Sequence, residues 1–464
     1  MEGLEASILP LISIGDLNPG LRIDAEFFNR QSLLAIAQIR SRPHERLGDI
    51  CARIQHPIEV KRDYEDEGLL TIMAKNIRSN RTDLSDPRFM PEALRPVVTR
   101  NKLKSGDVLV TRTGANFGQV APWRQQVEAF ACADILVLRQ PSVASGYLSS
   151  FLESAKGKPL VLRGGYGAAQ PHIAPPYLSD MLVPRLGDIE NRIDRLVSLS
   201  VEKERDAFQS IKRAQDTLLA ALGLADWTPP EPLSYTARAS DAFAAGRLDA
   251  QYFRPLFVEV EQRLLATGGA VELGTILDIN NRGRQPDYSD GGLPVVNSKH
   301  VRTNKVLLDD DNRRAVEADA PVVIEKGDVL VNGTGVGTIG RAAAFLHEQS
   351  ALPDNHVTVL RTSRVDPIYL AVFLNSLLGQ LQIERHIKGS SGQIELYPND
   401  IAKIVFWDAP DQVQTDVRDA VLSAFREERR ARDLLDAAKR AVEIAIENGE
   451  PAALTFLDAA EGAS

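Results

Sequence analysis

The stretch "GDVLVNGTGVGTIGRAA", Gly327 to Ala343, reads as a strand running into a glycine-rich turn, with a G-x-G-x-x-G at Gly335, Gly337 and Gly340. That spacing marks a dinucleotide site only where a helix opens on the third glycine and an acidic side chain follows about 20 residues later to hold a ribose. Neither condition is met. The following "RAAAFLHEQSALPDNH" is a short apolar run broken by a proline-containing turn, and Asp354 comes too early. The same design stands at Gly106 to Ala121, "GDVLVTRTGANFGQVA", with Ala115 and Asn116 in place of the glycine pair. A functional fingerprint is not normally duplicated with its glycines missing. What the copies share is a strand, a tight turn at Thr113-Gly114 and Thr334-Gly335, and a later glycine before another apolar run. That grammar predicts a β-hairpin or strand corner in which glycine supplies positive φ.

Outward from these two stretches the rest of the chain aligns with itself. "RIDAEFF" from Arg22 answers "RLDAQYF" from Arg247, "LGDI" from Leu47 answers "LGTI" from Leu273, and "KNIRSN" from Lys75 answers "KHVRTN" from Lys299. Tyr147-Leu148 and Phe151-Leu152 answer Tyr369-Leu370 and Phe373-Leu374, and a Gly-rich segment with a glutamine closes each copy (Gly164 to Gln170, Gly389 to Gln393). A period this long is a duplicated domain rather than a solenoid, whose units run about 20 to 50 residues.

Each copy begins with short strand-like runs, turns and a few helices, which predicts an α+β head, and ends in one long helix. The first helix has its apolar positions at Val197, Val201, Phe208, Ile211, Leu218 and Leu222, interrupted by Glu204 and Gln215. The second has them at Val417, Val421, Ala424, Ala431, Leu435, Ala438, Val442 and Ala445, interrupted by Glu428. Such seams with charged flanks suit a coiled coil. Each helix either packs on its own head or pairs antiparallel with the other as a rod between two heads. The expected division is a head over 1–185, a helix over 186–223, a linker over 224–233 stiffened by prolines, a second head over 234–408, a helix over 409–448, and a small polar tail over 449–464 that frays.

With 44% hydrophobic and 25% charged residues in 464, the composition is that of an ordinary globular protein of two or three domains. Glu2 and Glu5 follow Met1 where a signal peptide would be basic, and no apolar run reaches the roughly 18 residues that span a bilayer, so the expectation is a cytoplasmic protein with no membrane partner. Cys51 and Cys132 lie far apart and away from any histidine at ligand spacing, which argues against zinc or a disulfide framework. The formal charge of -9 requires that any nucleic-acid-binding cations be gathered on one face or supplied by a partner.

Two heads each followed by a long helix, each carrying RxDAxxF, GDVLV-x-x-TG and a terminal Gly-rich element that ends in a glutamine, resemble the specificity subunit of type I restriction-modification systems over essentially the whole chain. The resemblance implies tandem target recognition domains, each reading one half of a split site in double-stranded DNA. It further implies that the paired helices fix the gap between half-sites and dock two methyltransferase subunits. A restriction/translocase subunit is a further partner that it admits. No cofactor is expected in this chain; S-adenosylmethionine belongs on the methyltransferase. In keeping with a non-catalytic role, the sequence has no Walker A lysine after a G-x-x-x-x-G and no N/D-P-P-Y/F motif.

Cations serve phosphates and guanine edges, and amides serve adenine edges. The candidate DNA-contacting residues are therefore Lys75, Asn76, Arg78 and Asn80 with Lys299, His300, Arg302 and Asn304, directly after strand-like runs. At the glycine turns stand Arg112, Thr113 and Asn116 with Asn332 and Thr334. In the terminal loops Arg163, Tyr166 and Gln170, with His172, loosely answer Lys388, Ser390, Ser391 and Gln393; Arg282, Arg284 and Gln285 complete the set, with Arg53 and Gln55 as poorer counterparts. A solvated basic turn, or plain turn geometry, explains many of the same residues. Arg22/Asp24 and Arg247/Asp249 recur so closely that a structural role is expected, with Phe27-Phe28 and Tyr252-Phe253 in the core. Three rival readings stay open: a nucleotide-dependent enzyme using Gly335 to Gly340, a coiled-coil scaffold that reads no DNA, and a specificity subunit of a methylation-based phage-defence system without the usual nuclease.

Overall fold

The structure, a computed structural model, describes residues 14–16, 18–61, 63–114, 116–167, 171–310, 312–316, 321–389 and 394–462. The chain divides into two compact units, Met1–Arg205 with Glu427–Ser464, and Asp206–Arg426. Each is an α+β head built on half of each of two long helices.

In the first unit the GDVLV strand Val108–Thr111 lies between Ile135–Pro141 and Val120–Pro122, with Cys51–Gln55 on the far side of Ile135–Pro141, all antiparallel. The second unit repeats this order with Ile279–Arg282, Val357–Arg361, Val329–Asn332 and Ala342–Ala344. GDVLV is apolar without alternation because both faces of the strand are covered. Val108 and Val110 join the core formed with the helices, while Leu109 faces a separate core with Ile72, Trp123 and Val137. Val329 and Val331 are parted from Leu330 in the same way. A smaller sheet covers that second face, with Leu69–Ile72 parallel to Phe130–Ala131 in one head and Leu293–Val296 parallel to Leu352–Pro353 in the other. On the helical side Ser145–Glu153 and Pro367–Asn375 bury the repeated Tyr147, Phe151, Tyr369 and Phe373 completely. The Tyr147 hydroxyl donates to the Pro184 carbonyl, and that of Tyr369 donates to Trp407 O at 2.8 Å.

The long helices are Ile189–Ala221 and Asp411–Asn448, and within each unit a part of one runs antiparallel against a part of the other. Ile189, Ile193, Leu196 and Val197 share a core with Leu435, Ala438, Val442 and Ala445 in the first unit, whereas Ala214, Leu218 and Leu222 share one with Val417, Ala420 and Val421 in the second. Both cores also take in side chains of the head, so helix pairing and packing on a head are one arrangement rather than alternatives. The second helix buries its seam as read from sequence. In the first helix Phe208 is 71% exposed, and the seam runs instead through the small residues Ser200, Ala207, Ser210 and Ala214. Residues expected to fray form a further helix, Glu450–Gly462, which seats Ala453 and Leu457 in the first core.

RxDAxxF is structural, as expected. Arg22 Nε donates to Asp24 at 2.7 Å, and Asp24 accepts the Phe27 N–H at 3.0 Å; Arg247, Asp249 and Tyr252 repeat this with 2.5 and 3.1 Å. Of the four aromatics expected in the core only Phe27 is buried; Phe28, Tyr252 and Phe253 are half-buried, and in the second head the helix Pro255–Ala266 sends Leu256 and Phe257 inward.

Candidate nucleic-acid interface

The glycine turn closes a hairpin in both heads. Gly118 donates to Thr111 O at 2.9 Å with φ +75°, and Gly340 donates to Asn332 O at 2.8 Å with φ +78°. A Cβ on Gly340 would lie 2.6 Å from Ile383 Cγ2, and one on Gly118 would lie 2.7 Å from Leu162 Cδ2, so both the conformation and the packing call for glycine. The strand Ala342–Ala344 follows Gly340, and no helix opens there to receive a pyrophosphate. The dinucleotide reading is thereby overturned.

Around the turn, four segments of each head converge through matching backbone bonds. Arg112 N donates to Asp134 O at 2.7 Å, and Gly333 N donates to His356 O at 2.8 Å. Ile173 N donates to Arg112 O at 3.3 Å, and Leu396 N donates to Gly333 O at 2.9 Å. Ile135 pairs with Thr111 and Val357 with Asn332, which fixes the register of the first segment too. Counted from there, the counterpart of Arg282 is His56 rather than Arg53. Arg282 Nε donates to Asn355 O at 2.7 Å, and His56 Nε2 lies 3.0 Å from Ala133 O, the equivalent carbonyl. Tyr166 pairs with His172 as Lys388 pairs with Glu395, and Gly167 and Gly389 follow with φ +101° each.

The candidate amides are mostly committed elsewhere. Asn76 accepts the Met73 N–H and donates to Asp83 O, both at 2.8 Å. Asn80 and Asn304 adopt φ +63° and +61° at the tips of two-stranded hairpins, a left-handed conformation that asparagine tolerates better than most residues. Asn80 donates to Ser150 Oγ, and Asn304 accepts from Asn375, each at 2.7 Å. Buried His300 bonds with Asn297 N and Asn312 at 3.1 Å. Asn116 Nδ2 donates to Ala74 O at 3.2 Å and Ile77 O at 3.4 Å; Asn332, fully buried, holds the equivalent Ser298 O and Val301 O at 3.0 and 3.3 Å. Asn76, Asn80, His300, Asn304 and Asn332 therefore shape the loops, and their expected role at base edges is corrected, because burial turns those side chains toward protein; Asn116 is half-buried, with its amide nitrogen spent on the same loop.

Arg163 is likewise buried, its guanidinium 3.9 Å from the Phe27 ring centroid, and burial pulls its pKa below the usual guanidinium value. Its counterpart is Arg385, which stands 4.3 Å from the ring of Tyr252, rather than Lys388. Lys388 pairs with buried Asp400 at 2.8 Å. Gln55 is buried between Arg100 O and Arg139. Lys75 pairs with Asp86, and Arg78 lies 4.0 Å from Asp83. Gln170, Ser390, Ser391 and Gln393 lie outside the described residues.

Arg284, Gln285, Lys299 and Arg302 are exposed, and Tyr166 and Arg112 lie at the convergence. Arg282 sits between Glu395, 3.5 Å away, and the Tyr397 ring; hydrogen bonding from Tyr397, helped by Arg282, holds the Glu395 carboxyl below its ordinary range. Burial raises Asp354 nearby. The sequence reading passed over His56, Asp134 and His356. Thr113 Oγ1 donates to Asp134 Oδ1 at 2.8 Å, and Thr334 Oγ1 lies 2.8 Å from His356 Nδ1. Their only sequence signal is a shared place before the strands Ile135–Pro141 and Val357–Arg361.

Among the described residues no group of histidine, cysteine or acidic side chains could hold a metal ion, and no helix is long and apolar enough to cross a membrane. No protein-family model and no curated protein matches the chain. Among solved structures, the chain is similar to the type I restriction-modification S subunit from M. genitalium, with 13% identity over 87% of this chain and 94% of that one and a TM-score of 0.40. It is also similar to a chain from a study of complex assembly and conformational transition of the type I R-M system, with 16% identity over 85% and 97% and a TM-score of 0.29.

Proposed function

We propose that the chain is the DNA-recognition subunit of a type I restriction-modification complex. Each head reads one half of a bipartite, asymmetric site in double-stranded DNA. The paired helices set the spacer and dock two methyltransferase subunits, which carry S-adenosylmethionine and the chemistry; a restriction/translocase subunit completes the restricting form of the complex. One observation carries the reading: two heads share a backbone framework bond for bond, yet present different side chains where their loops converge. A duplicated frame with divergent loop tips suits two related but unequal half-sites, since a frame fixes where a side chain sits and the side chain decides which edge it accepts. A scaffold that reads no DNA gives no reason for keeping the frame while changing its tips.

The net charge of -9 makes the chain alone a weak binder whose affinity falls steeply with salt, and methyltransferase subunits closing around the duplex tighten it. The test is to express the chain with its cognate methyltransferase and map modified bases across a genome with and without it. A split motif that appears only with the chain supports the proposal. An active, associated methyltransferase that shows no chain-dependent motif would sink it and favour the scaffold.

A further inference from the structure

We infer that position 134 in the first head and position 356 in the second are one specificity-determining position, filled by groups of opposite hydrogen-bonding sense. The assignment rests on the DNA reading above and deepens it.

The two residues are equivalent by two bonds and by their place in the chain. Their carbonyls accept the N–H of Arg112 and of Gly333, their side chains are held by Thr113 and Thr334, and each immediately precedes the strand that pairs with GDVLV. The threonine hydroxyl of a repeated T-G turn thus keeps its place while its partner changes from a carboxylate to an imidazole. An ionised carboxylate only accepts hydrogen bonds. Assigning the Thr334 hydroxyl as the donor, as Thr113 is to Asp134, makes His356 Nδ1 the acceptor and leaves the ring N–H donor at Nε2. The neighbours change chemistry as well: His56 stands for Arg282, Tyr166 for Lys388 and His172 for Glu395. Arg112 stands for Gly333, where an added Cβ would meet the Arg282 guanidinium at 3.2 Å. Both residues are half-buried and held by a threonine hydroxyl, which restrains their rotamers.

In the major groove a carboxylate accepts from the amino groups of cytosine N4 or adenine N6, whereas an N–H donor meets guanine N7 and O6, thymine O4 or adenine N7. Asp134 therefore selects an amino-bearing edge in one half-site, and His356 an acceptor edge in the other.

The experiment maps the motif methylated by the full complex containing wild-type chain, D134H or H356D, with thermal melting to confirm folding. The expected result is a change of about ten-fold or more in preference at one base position, confined to the half-site of the altered head and opposite in direction for the two exchanges. Should an exchange fail to fold, D134N and H356Q are read for loss of discrimination at that same position. T334V, which removes the hydroxyl that orients the imidazole, relaxes the His356 position without touching the other half. A wild-type motif unchanged by these variants, or methylation reduced evenly at all sites, overturns the assignment alone. A wild-type complex that directs no split motif overturns the DNA reading and the assignment with it.

Discussion

Asp107 and Asp328, the aspartates of the repeated GDVLV, are almost fully buried, yet each is ionically paired across the sheet. Asp328 accepts from Arg361 at 2.7 and 2.9 Å and from the Glu325 N–H at 2.8 Å; Asp107 does the same with Arg139 and Lys104 N. The motif recurs because a buried carboxylate without its partner is costly, so the pair is retained or lost as a unit. Removing one partner strands the other charge. Asp328→Ala and Arg361→Ala are each expected to destabilise the second unit by about 3 to 5 kcal/mol, with the double variant costing less than the sum. Urea unfolding followed by tryptophan fluorescence, with Trp227 and Trp407 both in that unit, measures this. Single losses under about 1 kcal/mol that simply add would show the pair to be solvated.

At the scale of elements, the second long helix was legible in full and the first only in part, for a reason visible in side-chain size. Large apolar residues at a seam announce themselves, whereas Ser200, Ala207, Ser210 and Ala214 are buried without being conspicuous, and Phe208 is conspicuous without being buried. Leu218→Ala, in the second core beside Val417 and Val421, is therefore expected to cost about 2 to 5 kcal/mol. Phe208→Ser should stay within about 0.5 kcal/mol in the same unfolding measurement, and equal effects would restore the sequence-based seam. The heads show the same division. Local grammar exposed the duplication, the hairpin at Thr113-Gly114 and the cap at Asp24. It did not expose which polar residues face solvent, because Asn80, Asn304 and Asn332 look like ligand-binding amides until the left-handed conformation of the first two and the buried hydrogen-bond partners of all three are seen. His56 and His356 were missed because their equivalents, Arg282 and Asp134, are different residue types, and only strand register aligns them.

Over the whole molecule, the boundary between the compact units crosses both long helices rather than the linker between repeats. Sequence duplication and folding unit therefore do not coincide: the helix that ends the first repeat finishes inside the second unit, and the second helix returns to the first. A chain cut after Asp226 would carry Ala214, Leu218 and Leu222 without the Val417, Ala420 and Val421 that cover them. It would also lack the Leu435, Ala438, Val442 and Ala445 that complete the core of its own head. Apolar surface of that kind is covered by association or the helix unwinds. Residues 1–226 alone are expected to self-associate and to lose part of their helicity. Expressed together with residues 227–464, they should form a one-to-one complex whose helicity matches that of the intact chain. Sedimentation velocity and circular dichroism decide between the outcomes. A stable monomer of 1–226 with its long helix intact would mean that each repeat folds by itself, and that the helices meet only after both heads are formed.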